Sequence, residues 1–343
     1  MKKHNTKNFT IHDSRFTTCL PARQVHHSHG FTITELMVAI VISAIAMAAV
    51  YSTFIVQQRS FIVQDQVAET EVSSKIGFDM LVNDIREAGF GYPDDENPVN
   101  GFPEAINVTD SGINNGPDTL TLVGGFRQIA TLRNATTIGS NQITINYIGS
   151  TQFNSTNAPL SNRSNLSIEG LTFATITNCT IVVGNCSEAA AITLDRDMNN
   201  SIPADRPVYL VEDVTYQIVT ATGSNCGNAP AGTTCLTKTV AGGGTGNVDT
   251  IANNIDDLQF AYGVDTNDDG LIDTYKNIPL STDKVINIRT SVLARTANED
   301  QTLAPSTKPY FATGITLENN NTADTDRRRR RIWSMDVALR NPR

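Results

Sequence analysis

The sequence predicts an α+β protein: one long N-terminal helix, transmembrane in its first half and amphipathic in its second, packed on an antiparallel β-rich head. Three observations carry this. Residues 31–56 form an apolar run with one charged residue and no Gly or Pro. Residues 57–88 keep apolar side chains at helical spacing, and beyond Gly89 the chain breaks into strand-sized runs between Asn, Gly, Asp, Ser and Pro clusters. The predicted organisation is a basic leader over 1–30, a helix over 31–88 and a globular head over 89–343.

The leader is set apart by charge. Lys2, Lys3, Lys7, Arg15 and Arg23 against Asp13 give it +4 of the net −9, leaving −13 on the rest. All five histidines, His4, His12, His26, His27 and His29, also lie there, so a chain without the leader has no imidazole for acid–base work or metal binding. No nucleophile elbow, HExxH or Walker loop occurs, and the reading is therefore a non-enzyme with no required cofactor.

The apolar run is FTITELMVAIVISAIAMAAVYSTFIV, residues 31–56. About 20 apolar residues suffice for a helix to cross a ~30 Å hydrocarbon layer. Basic residues before the run place its start on the cytoplasmic side and send the remainder out of the cell. A secretory signal would be shorter and would carry its cleavage site after the apolar core, whereas this run continues into an amphipathic helix. Phe78, Leu81, Ile85 and Ala88 recur at helical spacing, as do Val63 and Val67, and Gly89 provides a stop after Arg86. A helix over 31–88 would be about 87 Å long at 1.5 Å per residue. Glu35 stands alone within the apolar run. An acid there typically costs about 2–3 kcal/mol at the bilayer centre, less near its edge, which marks a functional candidate.

The junction His29-Gly30-Phe31-Thr32-Ile33-Thr34-Glu35-Leu36 resembles the class III prepilin signal of type IV pilins and type II secretion pseudopilins. The resemblance implies cleavage by a membrane prepilin peptidase between Gly30 and Phe31, followed by methylation of the new amino terminus on Phe31. It also implies that Glu35 pairs with the amino-terminal charge of a neighbouring subunit and sets axial register. Cleavage would create that positive partner, since Phe31 carries only an amide nitrogen beforehand. The fold it implies is the lollipop of a pilin. Many major pilins interrupt the apolar half with Gly or Pro; here none occurs before Gly77.

In the head, candidate strands are Thr119 to Val123, Gln142 to Tyr147, Thr180 to Val183, Pro207 to Thr220, Lys284 to Thr296 and Ile332 to Arg340. The last alternates, with Trp333, Met335, Val337 and Leu339 on one face, which reads Trp333 as a core residue. Cys179, Cys186, Cys226 and Cys235 allow three connectivities; short separations favour Cys179 with Cys186 and Cys226 with Cys235. A zinc site competes, without C-x-x-C spacing to support it. Disulfides imply an oxidising compartment such as the periplasm.

The order NNIDDLQFAYGVDTNDDGLID, VINIRTSVLART and RRRRRIWSMDVALRN resembles PilW-type minor pilins. The implied function is a structural subunit that helps initiate pilus assembly. Implied partners are the prepilin peptidase, other minor and major pilins, and inner-membrane lipid. The implied location is the bacterial inner membrane with the head in the periplasm, then the pilus surface. J-class pseudopilins of type II secretion share a related plan, and a pilus-borne adhesin or DNA receptor is the other alternative.

Two head segments invite separate readings. Asp265, Asn267, Asp269, the Leu271 carbonyl and Asp273 alternate around Gly270 as in a calcium loop, although Lys276 stands where such a loop places its bidentate Glu. The same residues also build plain turns. Arg327 to Arg331 offers phosphate-binding charge, but acidic residues adjoin it, no aromatics are interleaved and the chain is acidic, all of which count against nucleic acid as a partner.

Overall fold

The computed structural model describes residues 30–92, 99, 102, 104–109, 116–147, 165–181, 190–222, 226–241, 247–280, 282–301, 303 and 326–341. Helix α1 spans Ile33–Glu87. It contributes to two compact units, one ending at Arg59 and the other beginning at Ser60. In the first, every side chain from Phe31 to Phe54 is exposed. By length and composition this part is apolar enough to cross a membrane.

In the second unit α1 becomes one-sided. Phe78, Leu81, Ile85 and Ala88, singled out by their spacing, are at most 2% exposed. Thr70, Ser74 and Gly77 are buried on the same side and let the helix approach closely; a Cβ on Gly77 would meet the Ala252 Cβ at 3.2 Å. The helix ends where predicted because Gly89 adopts φ +79° and its N–H donates to the Val123 carbonyl at 2.9 Å.

The larger sheet holds β1 (Ile106–Thr109), β2 (Thr119–Leu132), β3 (Gln142–Tyr147), β4 (Asn165–Ile168), β5 (Thr172–Ile181), β6 (Ala190–Leu194), β7 (Pro207–Thr220), β8 (Thr234–Ala241) and β9 (Asn247–Asn253). Its order is β1-β2-β3-β6-β5-β4-β7-β8-β9, with β2 also pairing β7. That extra pairing closes β2, β3, β6, β5, β4 and β7 into an antiparallel barrel. Ile129, Leu132, Ile145, Leu166, Ile192 and Leu210 are among the aliphatic residues filling it. The smaller sheet runs β11-β10-β12-β13, from β10 (Ile255–Asp265), β11 (Thr274–Lys276), β12 (Lys284–Arg295) and β13 (Arg330–Ala338).

β2 and β7 each serve two layers. Their register slips between Gly124 and Arg127, a bulge that turns β2 from the helix-bearing body into the barrel. Leu120 and Leu122, before it, join the core around α1; Ile129 and Leu132, after it, face the barrel interior. The body core adds Val214 and Tyr216 of β7, Leu236, Ala252, and Phe260, Tyr262, Ile288 and Val292 of the smaller sheet. Tyr216 is fully buried and donates its hydroxyl to Asp84 Oδ2 at 2.6 Å, where Lys238 Nζ also sits at 2.6 Å. Burial first and Asp84 second push the Tyr216 hydroxyl well above its ordinary pKa, so it remains a donor.

Phe90 joins the two layers. Its ring meets Tyr209 edge-on at 4.9 Å, its carbonyl accepts from Gly125 N–H at 2.8 Å, and Gly170 leaves room for it at φ +76°.

Several boundaries differ from the sequence reading. The strand predicted over Thr119 to Val123 runs on to Leu132, because the Gly124-Gly125 pair bends the strand without ending it. Of Thr180 to Val183, Thr180 and Ile181 close β5 and the rest lies outside the described residues. Trp333 lies at the margin of the core, half-buried on β13, an outer strand of its sheet, and its Nε1 donates to Ser74 Oγ at 2.9 Å.

Candidate functional site

Gly30 and Phe31 precede α1 and are exposed, Phe31 by 89%. Thr32 caps the helix. Its N–H and Oγ1 both donate to Glu35 Oε2, at 2.9 and 3.0 Å, and Glu35 N–H donates back to Thr32 Oγ1 at 3.3 Å. This is a capping box, in which a Thr and a Glu three residues on satisfy each other's backbone N–H groups. From sequence Glu35 is expected to pair only with another chain, and Thr32 has no expected role. The signal was present, as the T-x-x-E spacing opening an apolar run. The carboxylate is thus held at the helix start by its own chain, with lone pairs still open to a second cation.

Cys226 and Cys235 form a disulfide with Cα atoms 6.0 Å apart, closing the turn between β7 and β8. Both are buried beside Ala221, Val219 and Ala229. This excludes Cys226 and Cys235 as zinc ligands. Cys186 and the side chain of Cys179 lie outside the described residues.

The loop after β10 brings Asp265, Asn267, Asp269, Leu271 and Asp273 into one turn. Asp265 Oδ1 accepts the Asp268 N–H at 2.7 Å and Oδ2 the Gly270 N–H at 2.8 Å, with longer bonds from Asn267 and Asp269. Desolvation opposes the Asp265 charge, yet these N–H groups hold its carboxyl below the usual carboxylate range. Asp269 Oδ1 accepts from Leu271 N–H at 2.8 Å, and Asp273 Oδ2 accepts both the N–H and hydroxyl of Thr266. Among the described residues, no three His, Cys, Asp or Glu side chains are grouped so as to hold a metal ion.

The arginine run is largely consumed within the chain. Arg330, with a side chain 4% exposed, bridges Asp256 at 3.0 Å and Asp326 at 2.7 Å. Arg329 reaches Asp300 at 2.7 Å, Arg328 donates to the Thr296 carbonyl at 2.9 Å, and Arg327 donates to Gln301 at 3.2 Å. Arg331 faces outward, over Trp333 at 5.3 Å and 3.8 Å from Glu71. Asp326 was visible beside the run in sequence; Asp256 and Asp300 were not, because only the fold brings β10 and the segment after β12 to them.

Residues 25–51 match the family model described as Prokaryotic N-terminal methylation motif, which takes in Gly30, Phe31, Thr32 and Glu35. A capped apolar helix opening on that motif is similar to the start of a prepilin-type subunit. Residues 215–341 match Type IV Pilus-assembly protein W. The last third of the chain is thus similar to PilW proteins, and the two matches together support the role of a minor pilin. A type IV-like pilin from Thermus thermophilus aligns over 81% of this chain and 97% of its own at 11% identity, with a TM-score of 0.36. Comparison with curated proteins gave no match. The matched families are named for pilus assembly and for N-terminal methylation, and neither description names a catalytic activity.

Proposed function

We propose that prepilin peptidase cuts the chain between Gly30 and Phe31, that Phe31 is then N-methylated, and that residues 31–56 anchor the subunit in the inner membrane with its head in the periplasm. It then helps initiate a type IV pilus by packing with other pilins. The observation that carries this reading is the start of α1: Phe31 stands free, and Glu35 is fixed four residues on in an otherwise apolar run. The new ammonium of a neighbouring Phe31 would restore charge balance around Glu35, in an environment where an unpaired carboxylate is expensive. The buried Cys226–Cys235 disulfide supports an oxidising compartment for the head.

Glu35→Ala is expected to leave leader removal intact and to reduce the subunit recovered in sheared filaments by at least about ten-fold, the equivalent of 1.4 kcal/mol. Thr32→Ala removes the capping hydroxyl but keeps the carboxylate, and is expected to retain most incorporation. Equal losses in both variants would reduce Glu35 to a helix cap. Mass spectrometry of the membrane-resident protein tests processing directly; a species still carrying its leader removes the reading.

A structural Ca2+ at the 265–273 loop is part of the same proposal, supported by its alternating oxygen side chains. Calorimetric titration of the purified protein with Ca2+ should give binding heat that Asp265→Asn abolishes. No heat in the parent protein leaves the loop as a self-bonded turn.

A further inference from the structure

A groove of about 250 Å³ lies between β1 and the segment leading into β12. Val285 and Leu339 form its floor, Ile106 and Val108 one wall, and Ile278 and Leu280 the other. The wall residues Ile278 and Leu280 are 59% and 63% exposed. The volume falls below the roughly 300–1,000 Å³ of sites that enclose a cofactor or drug-sized ligand, and suits one or two side chains.

The β1 wall offers more than apolar surface. Among the described residues β1 is an outer strand of its sheet and pairs with β2 alone. Val123 N–H donates to the Ala105 carbonyl at 2.8 Å, so the opposed pair Ala105 and Val123 is hydrogen-bonded and the pairs alternate from there. Asn107 therefore turns its backbone groups toward β2, while Ile106 and Val108 turn theirs to the open edge, into the groove. Edge strands are usually guarded by Lys, Pro or a bulge; Ile106-Asn107-Val108-Thr109 has none of these.

Charge narrows the occupant. Two acids stand at the rim, Glu104 and Asp283. Asp283 is neutralised by Lys276 at 2.7 Å. Glu104 is exposed at the mouth, and desolvation by the groove raises its carboxyl above the ordinary value. A cation brought alongside Glu104 would relieve that penalty.

We infer that this groove receives an extended segment of a partner protein, which adds as a strand to the open edge of β1, places an apolar side chain between Val108 and Leu280, and sets a Lys or Arg against Glu104. The inference rests on the assembly reading only in supposing that partners are present.

The test uses the full-length protein in its native membranes, with a benzophenone photocrosslinker at Leu280 and, as a control, at the 65%-exposed Ile138 of the β2–β3 loop. The expected product from position 280 maps to a partner segment of alternating apolar residues that carries Lys or Arg. Val108→Pro removes an outward donor while sparing the β1–β2 ladder, and should lower the yield about five-fold, the loss of roughly one hydrogen bond. Glu104→Lys, a surface change that leaves the strand intact, should lower it comparably, and Glu104→Asp should retain it. Yield unchanged in Val108→Pro and Glu104→Lys overturns the inference. So does a product mapped to a helical segment, to lipid or glycan, or to position 280 of a second copy. N-methylated Phe31 in the same strains separates the two readings: without it the assembly reading fails, whereas with it and no Leu280 product the groove inference fails alone.

Discussion

The barrel and the body around α1 are built from the same two long strands but close their cores by different means. The barrel interior is aliphatic, with Ile143, Ile145, Ile176 and Ile192 among its residues, and its strands satisfy one another by returning on themselves. The body core mixes aliphatic with aromatic side chains, Phe78, Tyr216, Phe260 and Tyr262, and needs a helix laid between two sheets. A closed ring of strands has no edge to protect. The body, by contrast, leaves β1, β9, β11 and β13 as outer strands among the described residues. Closure thus makes the barrel self-contained, while the open strand edges among the described residues fall on the body.

Truncating one large residue in each core probes that independence most sharply. Phe78→Ala should cost about 3–5 kcal/mol and Ile145→Ala about 2–5 kcal/mol. Hydrogen exchange should then loosen β10 and β12 in the first variant and β3 and β6 in the second. If either change deprotects both sets equally, the two cores open as one.

The joint between them is the next test. At Gly170 an added Cβ would lie 2.5 Å from the Phe90 ring, in a backbone already at φ +76°. Gly170→Ala should therefore cost about 1–3 kcal/mol. Trimming Phe90 to Leu in the same chain should recover part of the loss of melting temperature; no recovery would put the whole cost in the backbone.

The smallest effect concerns acid. Desolvation works against the Asp326 charge, but the Arg330 guanidinium and the Arg328 N–H outweigh it and hold its carboxyl below the usual range. A depressed folded-state pKa contributes stability that is present above the unfolded value, near 4, and is lost as pH falls through the folded one. Melting temperature should accordingly fall more steeply below about pH 4 in the parent than in Asp326→Asn. Parallel curves would show that the clasp carries no net coupling.

What could be read from sequence tracks how locally each feature is encoded. The buried face of α1 follows from periodicity alone, and β3 and β7 appear at their predicted bounds because turn residues flank alternating runs. The barrel was illegible. β4 has only four residues and β6 five, and closure depends on β2 pairing β7 across some eighty positions, a separation no local pattern reports. At the helix start, Gly30, Phe31 and Glu35 stand out in sequence as chemistry, while the role of Thr32 rests on its two bonds to Glu35, which belong to the folded helix start. The arginine run was legible as charge but not as structure, since its acids arrive from β10 and from the segment after β12.

The sharing of β2 and β7 also has a mechanical side. A tensile load drawing the barrel away from the body is carried by the covalent backbone of both strands at once, so the junction can bear it without relying on any single hydrogen bond. Under traction the barrel behaves as a spliced extension of the body.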